Sequence, residues 1–244
     1  MNASIYIGCA GWTIPSASAH LFPTTGTHLE RYAARLPATE INTSFKKRHR
    51  PATYSAWAAT VPNDFRFAVK MSRQITHASR LADLSALGYF IADLQHLGEK
   101  LGPILVQLPP SLVFSPTLAR EFLRSLRERF DGGVVCEPRH ASWFSTEAER
   151  LLVEFRVARV AADPPPVAGA GQPGGWSGLV YYRLHGSPRV YYSSYADAYL
   201  HDLASALLSV AASAQVWCIF DNTAAGAAVA NALALLAHLK ERSG

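Results

Sequence analysis

A chain of 244 residues with 49% hydrophobic composition is long enough to bury a substantial core, and it is close to the usual size of one α/β barrel. No apolar stretch reaches membrane-spanning length, and Met1–Ile7 holds no basic segment leading into an apolar secretory core, so a soluble, cytoplasmic protein is expected. The charge of +5 leans towards an anionic partner, and three cysteines without a CxxC read as buried thiols in a reducing compartment.

Eight short apolar runs punctuate the chain. The first, Ile5–Cys9, precedes Leu29, Tyr32, Ala33 and Leu36 at helical spacing. The second, Ala38–Asn42, carries Glu40 and Asn42 at its end and leads into the basic stretch Lys46–Arg50. The third, Phe65–Lys70, is followed by Leu81, Leu84, Gly88, Ile91 and Leu94, again helical. After the fourth, Ile104–Gln107, the residues Leu118, Phe122 and Leu126 predict a helix that Ser115 caps and Pro116 opens. Val134–Glu137 and Ala158–Asp163 are the fifth and sixth. The rhythm then breaks: Pro164–Pro166 and a glycine-rich stretch to Gly178 show no helical pattern. An irregular loop replaces the helix there, either a tolerated insertion or a mobile cover over a site. Leu179–His185 and Val216–Asn222 complete the set, and an Ala/Leu-rich helix is predicted from Thr223 onward.

Eightfold alternation of strand and helix predicts a single TIM-like (β/α)8 barrel spanning 1–244, with no second domain. In that architecture chemistry sits at the strand C-terminal ends. These ends carry Glu40, Asn42, Lys70, Gln107, Glu137, Arg139, Asp163, Arg183, His185, Asp221 and Asn222. Residues two apart on a strand share a face, so Glu40 lies with Asn42, Glu137 with Arg139, and Arg183 with His185.

Chemistry suggests roles. Arg139, Arg183 and Lys70 would hold an anion, since arginine forks suit phosphate or carboxylate. Glu137 would be the general acid or base, Glu40 or Asp163 the second carboxylate, and His185 the proton shuttle. Asn42, Gln107 and Asn222 would offer neutral hydrogen bonds. Trp12 and Trp143 would form apolar or stacking walls, or else pack against loops and helix starts. The alternative to a ligand site is a ring of salt bridges closing the top of the core, with Glu40 and Glu137 neutralised by the neighbouring cations. His77, His140 and His185 leave the third, fifth and seventh strands within reach of acidic groups. No HxxxH, HExxH or paired-cysteine spacing appears, however, and a divalent metal is not favoured. With no Walker loop, GxGxxG or nucleophile elbow, no nucleotide cofactor is expected.

Several motifs occur together in order: Ile7-Gly8-Cys9-Ala10-Gly11-Trp12, Glu40-Ile41-Asn42-Thr43-Ser44-Phe45, Phe67-Ala68-Val69-Lys70 with Ile75-Thr76-His77, and Val106-Gln107-Leu108-Pro109-Pro110. Further on come Glu137-Pro138-Arg139-His140-Ala141-Ser142-Trp143, Tyr182-Arg183-Leu184-His185-Gly186 and Phe220-Asp221-Asn222 ahead of Asn231-Ala232. On these the chain resembles the YecE-like family, domain of unknown function 72. The resemblance implies an α/β barrel without implying a reaction. Lys46 after Phe45, Asp221 before Asn222 and a shortened connection after Trp12 depart from the family's usual pattern.

The function expected is an enzyme doing acid–base or hydrolytic chemistry on an anionic, phosphorylated or hydroxyl-rich small molecule, as a hydrolase, lyase or isomerase. A nucleic-acid-binding or metal-dependent nucleic-acid-processing barrel is the alternative, resting on Lys46–Arg50, Arg66 and Arg73. A non-catalytic ligand sensor is the third reading. No membrane partner is expected.

Overall fold

The computed structural model describes residues 5–243; the leader reading over Met1–Ser4 lies outside the described residues. The apolar runs form strands β1 (Ile5–Ala10), β2 (Ala38–Ile41), β3 (Arg66–Lys70), β4 (Leu101–Gln107), β5 (Val134–Glu137), β9 (Leu179–Leu184) and β10 (Gln215–Phe220). The sixth run is divided into β6 (Val157–Arg159) and β7 (Ala161–Asp163), while β8 (Gly174–Gly175) is a two-residue strand in the long loop. Neighbouring strands pair in parallel from β1 to β6, and β7 pairs with β9, β9 with β10 and β10 with β1. The barrel therefore closes through one strand whose first half serves β5 and whose second half serves β9. Val160 joins the halves, and its N–H donates to Cys136 O at 2.9 Å. Among the described residues the only antiparallel pair is β8 on β6.

Alternation along the strands separates two apolar layers. Outward residues such as Ile7, Phe67, Val69, Ile104 and Cys218 pack against the helices, where Ile91 and Leu94, Phe122 and Leu126, and Leu200 and Leu207 return the contact. Inward residues are smaller near the middle, with Ala38, Ala68 and Ala158 beside Leu105, Val135, Val160 and Ile219. The floor is aromatic: Trp217 stacks on Tyr6 with centroids 4.7 Å apart and on Tyr181 at 6.1 Å. Gly102 leaves room for the indole, because a Cβ there would stand 2.6 Å from it. Gly8 likewise admits β2, since a Cβ would lie 2.0 Å from Ala38 O.

The helices are α1 (His28–Ala33), α2 (Pro51–Thr60), α3 (Leu87–Leu94), α4 (Pro116–Arg127), α5 (Thr146–Glu154), α6 (Asp197–Ala211) and α7 (Ala227–Ser243). Three sequence expectations are corrected. Leu81 and Leu84 precede α3; the chain first makes a π-helical turn at Gln74–Ala78, and Leu81 takes a positive φ of 70°. Ser115 stands at the N-cap of α4 but makes no side-chain cap bond, in contrast to Thr27 on α1 and Ser145 on α5. The last helix begins at Ala227, not Thr223, because the chain turns through Gly226 at φ 78°.

The loop after β7 lacks a helix, as expected. It is tied down from within: the Arg159 guanidinium, paired with Glu149, donates to Gly169 O at 3.2 Å and Gln172 O at 3.1 Å, and Gly175 N donates to Glu149 at 2.6 Å. Those bonds argue against the mobile-cover reading for its middle portion.

Candidate active site at the barrel mouth

Arg183, completely buried at the end of β9, is the centre of the strand-end charges. Its Nε and Nη2 hold both oxygens of Glu40 on β2 at 3.0 and 2.8 Å. Nη1 reaches Glu137 on β5 at 3.1 Å, and Nη2 also meets Asp221 after β10 at 3.0 Å. Tyr181, two residues earlier on the same face, donates its hydroxyl to Glu40 at 2.9 Å. Burying a guanidinium is costly unless its donors are met, and here three carboxylates meet them. Most of its donors therefore face carboxylates of the protein itself, which speaks against the expectation that Arg183 holds an external anion.

Glu137 is saturated in the same way. Oε1 accepts from Gln107 Nε2 at 3.1 Å and from Arg139 Nη2 at 2.8 Å, with His185 Nε2 at 3.2 Å. Burial would raise its pKa, but Arg183, His185 and Arg139 outweigh that and hold it well below the carboxylate range. A carboxylate so stabilised is a weak base, which speaks against the expectation of Glu137 as the general acid or base. Gln107 is likewise committed to Glu137 instead of presenting a free amide.

His185 lies between two acids, with Nδ1 3.1 Å from Asp221 and Nε2 3.2 Å from Glu137. Burial opposes its protonation, yet the two carboxylates raise its pKa above 6.5. Asp221 is lowered in turn, Arg183 and His185 outweighing burial. Arg183, Arg139 and His185 thus face Glu40, Glu137 and Asp221 in one network.

Lys70 is left over. It ends β3, is buried, and has no ion pair or hydrogen bond at its ammonium among the described residues; Nζ sits 4.3 Å from the centroid of Phe45. Burial, followed by repulsion from Arg183, brings its pKa down to about 8. It faces a cleft of about 560 Å³ lined also by Gly11, Trp12, Thr13, Asn42, Thr43 and Lys46. Trp12 forms a wall there, edge-on to Trp57 at 5.0 Å. A smaller cavity of about 160 Å³ opens on the other side of the charge network, between Glu137, Arg139, His185 and the proline run Pro164–Pro166.

His77 belongs to the Lys70 side, its ring 4.9 Å from Phe45 and its Nδ1 2.9 Å from Thr76 Oγ1. Burial, then Lys70 and Arg139, lower its pKa, so it stands as a neutral imidazole at pH 7.

Other expected site residues serve the loops. Asp163 accepts from the Tyr195 hydroxyl at 2.9 Å, and that oxygen accepts Gly186 N–H at 2.9 Å; it anchors a loop and is not part of the charge network. His140 accepts Ser142 N–H at 3.2 Å as the cap of a short turn. Trp143 is buried against Phe114 and donates to Leu112 O at 2.9 Å, so it is no wall of the cleft. Asn222 donates to Ser193 O and Asn231 Oδ1, both at 2.9 Å, while its own Oδ1 is buried without a partner. Among the described residues no group of three His, Cys, Asp or Glu side chains is arranged to hold a metal ion. Cys9 and Cys136 are fully buried, and burial pushes the Cys9 thiol up to about 12, leaving neither as a nucleophile. The basic stretch also disperses: Arg48 pairs with Asp93, and Arg66 stands at the opposite end of its strand. Phe45 and Tyr181 were missed as site residues; Tyr181 was within reach, since it shares the i, i+2 face with Arg183.

A closed parallel barrel with a charged cluster at its strand ends defines a TIM-like α/β protein with its polar site on the C-terminal face. The chain belongs to the family described as protein of unknown function DUF72, whose model matches residues 6–244. It is 31% identical over 176 residues to the UPF0759 protein YecE of Escherichia coli K12, covering 68% of this chain and 61% of YecE, less than two thirds of that protein. Crystal structures of DUF72 family proteins from Enterococcus faecalis V583 and Thermotoga maritima MSB8 share the fold, each with a TM-score of 0.77. The first is 24% identical, covering 97% of this chain and 96% of its own; the second is 22% identical, covering 97% and 99%.

Proposed function

We propose that this protein is a small-molecule enzyme that binds an anionic, hydroxyl-bearing substrate in the cleft above Lys70 and uses that lysine for proton transfer. The observation that carries the reading is the uncompensated ammonium. Arg183, Arg139 and His185 face Glu40, Glu137 and Asp221, whereas Lys70, with no ion pair at its ammonium among the described residues, is buried at the edge of an open cleft that Lys46 also lines. An anionic group there would supply the missing counter-charge. Trp12 offers a flat apolar face, and Thr13, Thr43 and Asn42 offer hydrogen bonds for hydroxyls. A lysine with a pKa of about 8 gives up or regains its proton near neutral pH at small cost. The saturated carboxylates fix the field around it. Arg139, paired with Glu137 and a quarter exposed, lines the smaller cavity on the far side.

Isothermal titration with inorganic phosphate, glucose 6-phosphate and malate tests the binding half. At least one is expected to bind, with at least tenfold loss in Lys70→Met. For the ligand that binds, incubation in D2O should show enzyme-dependent deuterium incorporation by NMR. Equal binding by wild type and Lys70→Met, or no binding by any of the three, overturns the anion assignment. Binding without exchange or turnover leaves the sensor reading.

A further inference from the structure

We propose a second ligand site, separate from the barrel mouth, that binds a small organic cation, an amine or guanidine with an apolar body. It is the cavity of about 300 Å³ on the outer side of the barrel, walled by α2, α3 and the π-helical turn. Asp93 of α3 lies in its lining with its side chain only 7% exposed. Its sole ion-pair partner among the described residues is Arg48, whose side chain is 66% exposed; Nε and Nη2 donate to the carboxylate at 2.6 and 3.1 Å. The same guanidinium lies 5.4 Å from the ring centroid of Tyr89. Arg48 therefore displays the recognition that the cavity provides: a buried carboxylate below and an aromatic face beside it.

A second observation points to an occupant. Tyr54 is 2% exposed and lines the cavity, and its hydroxyl makes no hydrogen bond to the described residues, which leaves its oxygen open to a donor entering the cavity. An incoming N–H could donate to the Tyr54 oxygen and another to Asp93, while Tyr89 and Phe90 cover the carbon body. Arg48, itself 66% exposed, would move into solvent while the incoming cation takes its place, so the buried Asp93 carboxylate stays paired throughout. The lining contains no other charged group, so it offers no counter-charge to an anion once Asp93 is counted.

The probes are agmatine, tyramine and benzamidine, titrated calorimetrically into the whole protein at neutral pH. At least one is expected to bind wild type, and Arg48→Ala to bind it about three- to tenfold more tightly because the competing internal cation is gone. Tyr54→Phe retains the ring and should weaken binding severalfold, and Asp93→Asn should abolish it. Inorganic phosphate should not compete, which keeps this test independent of the Lys70 cleft. Failure of all three probes on both wild type and Arg48→Ala overturns the proposal. So does undiminished binding by Tyr54→Phe, the variant least able to disturb the fold.

Discussion

Arg183 and Lys70 both end barrel strands, both are buried and both face the interior, yet their surroundings are opposite. Arg183 touches three carboxylates, and Lys70 touches none, resting against a phenyl ring beside an open cleft. The contrast separates charge that holds the barrel top together from charge available to a ligand. A sequence reading that places both in one anion-binding set misses this division. Burial alone does not make it either; the number of opposite charges within reach does.

Breaking the saturated side should have the largest effect. Arg183→Met strands Glu40, Glu137 and Asp221 without their common partner, and removing one member of a buried ionic cluster typically costs about 3–5 kcal/mol. Urea denaturation of this variant should show that loss, or the protein should fail to accumulate folded. Little change in the midpoint would mean the cluster does not organise the barrel top.

Lys70→Met should act in the opposite direction. A folded-state pKa of about 8 against an ordinary 10.5 means that the charged form is disfavoured by folding. Removing that charge at pH 7 should stabilise the protein by up to roughly 3 kcal/mol, the free energy equivalent of the shift. A destabilised variant would show that Lys70 is already compensated.

The pH dependence sharpens the same division. His185 is raised above 6.5, so its contribution is complete below that value and declines as pH rises through the folded-state pKa. Lys70 has the reverse sign: between about 8 and 10.5 the unfolded chain binds more protons, and stability climbs with pH. In Lys70→Met the climb should disappear, leaving the His185 decline and, above the ordinary thiol value of 9.0, a further decline from buried thiols such as Cys9, whose raised pKa makes the unfolded chain lose its proton first. On the acid side Glu137 and Asp221, both lowered, keep their contribution above the ordinary carboxylate values and lose it as pH falls through their folded-state ones. Denaturation midpoints from pH 3 to 10, with His185 followed by NMR, would check each limb.

Arg139 bridges the two sides and should give the smallest effect of the series. It grips Glu137 but is a quarter exposed, so Arg139→Ala should cost about 1–2 kcal/mol, in the range of a charge-assisted hydrogen bond partly open to water. A loss as large as that of Arg183→Met would extend the saturated region out to the surface.

Much of the frame was readable because short continuous apolar runs closed by a polar group mark parallel strands buried on both faces. Glu40, Glu137, Arg183, His185 and Asp221 do meet at the mouth, and the eight apolar runs form the barrel. What could not be read was how donors are shared. Glu137 looks like a free acid in sequence, and only its Gln107, Arg139, Arg183 and His185 neighbours show it saturated. His140 and Trp143 follow a strand end closely, but the short turn there directs them into capping and packing. The division of the sixth strand at Val160 leaves no compositional trace. Asp93 and Tyr54 escaped notice because they sit in apolar helical surroundings on the barrel's outer side, while the basic run that supplies Arg48 reads as solvated surface. An acid between Ile91 and Leu94 was the available signal.

The aromatic floor has a consequence for traffic. Tyr6, Trp217 and Tyr181 act as a stopper across the barrel, so whatever reaches Lys70 must arrive and depart by one doorway. For the enzyme proposed above, a product retaining the anionic group would leave by the way its precursor enters, and the two should compete directly.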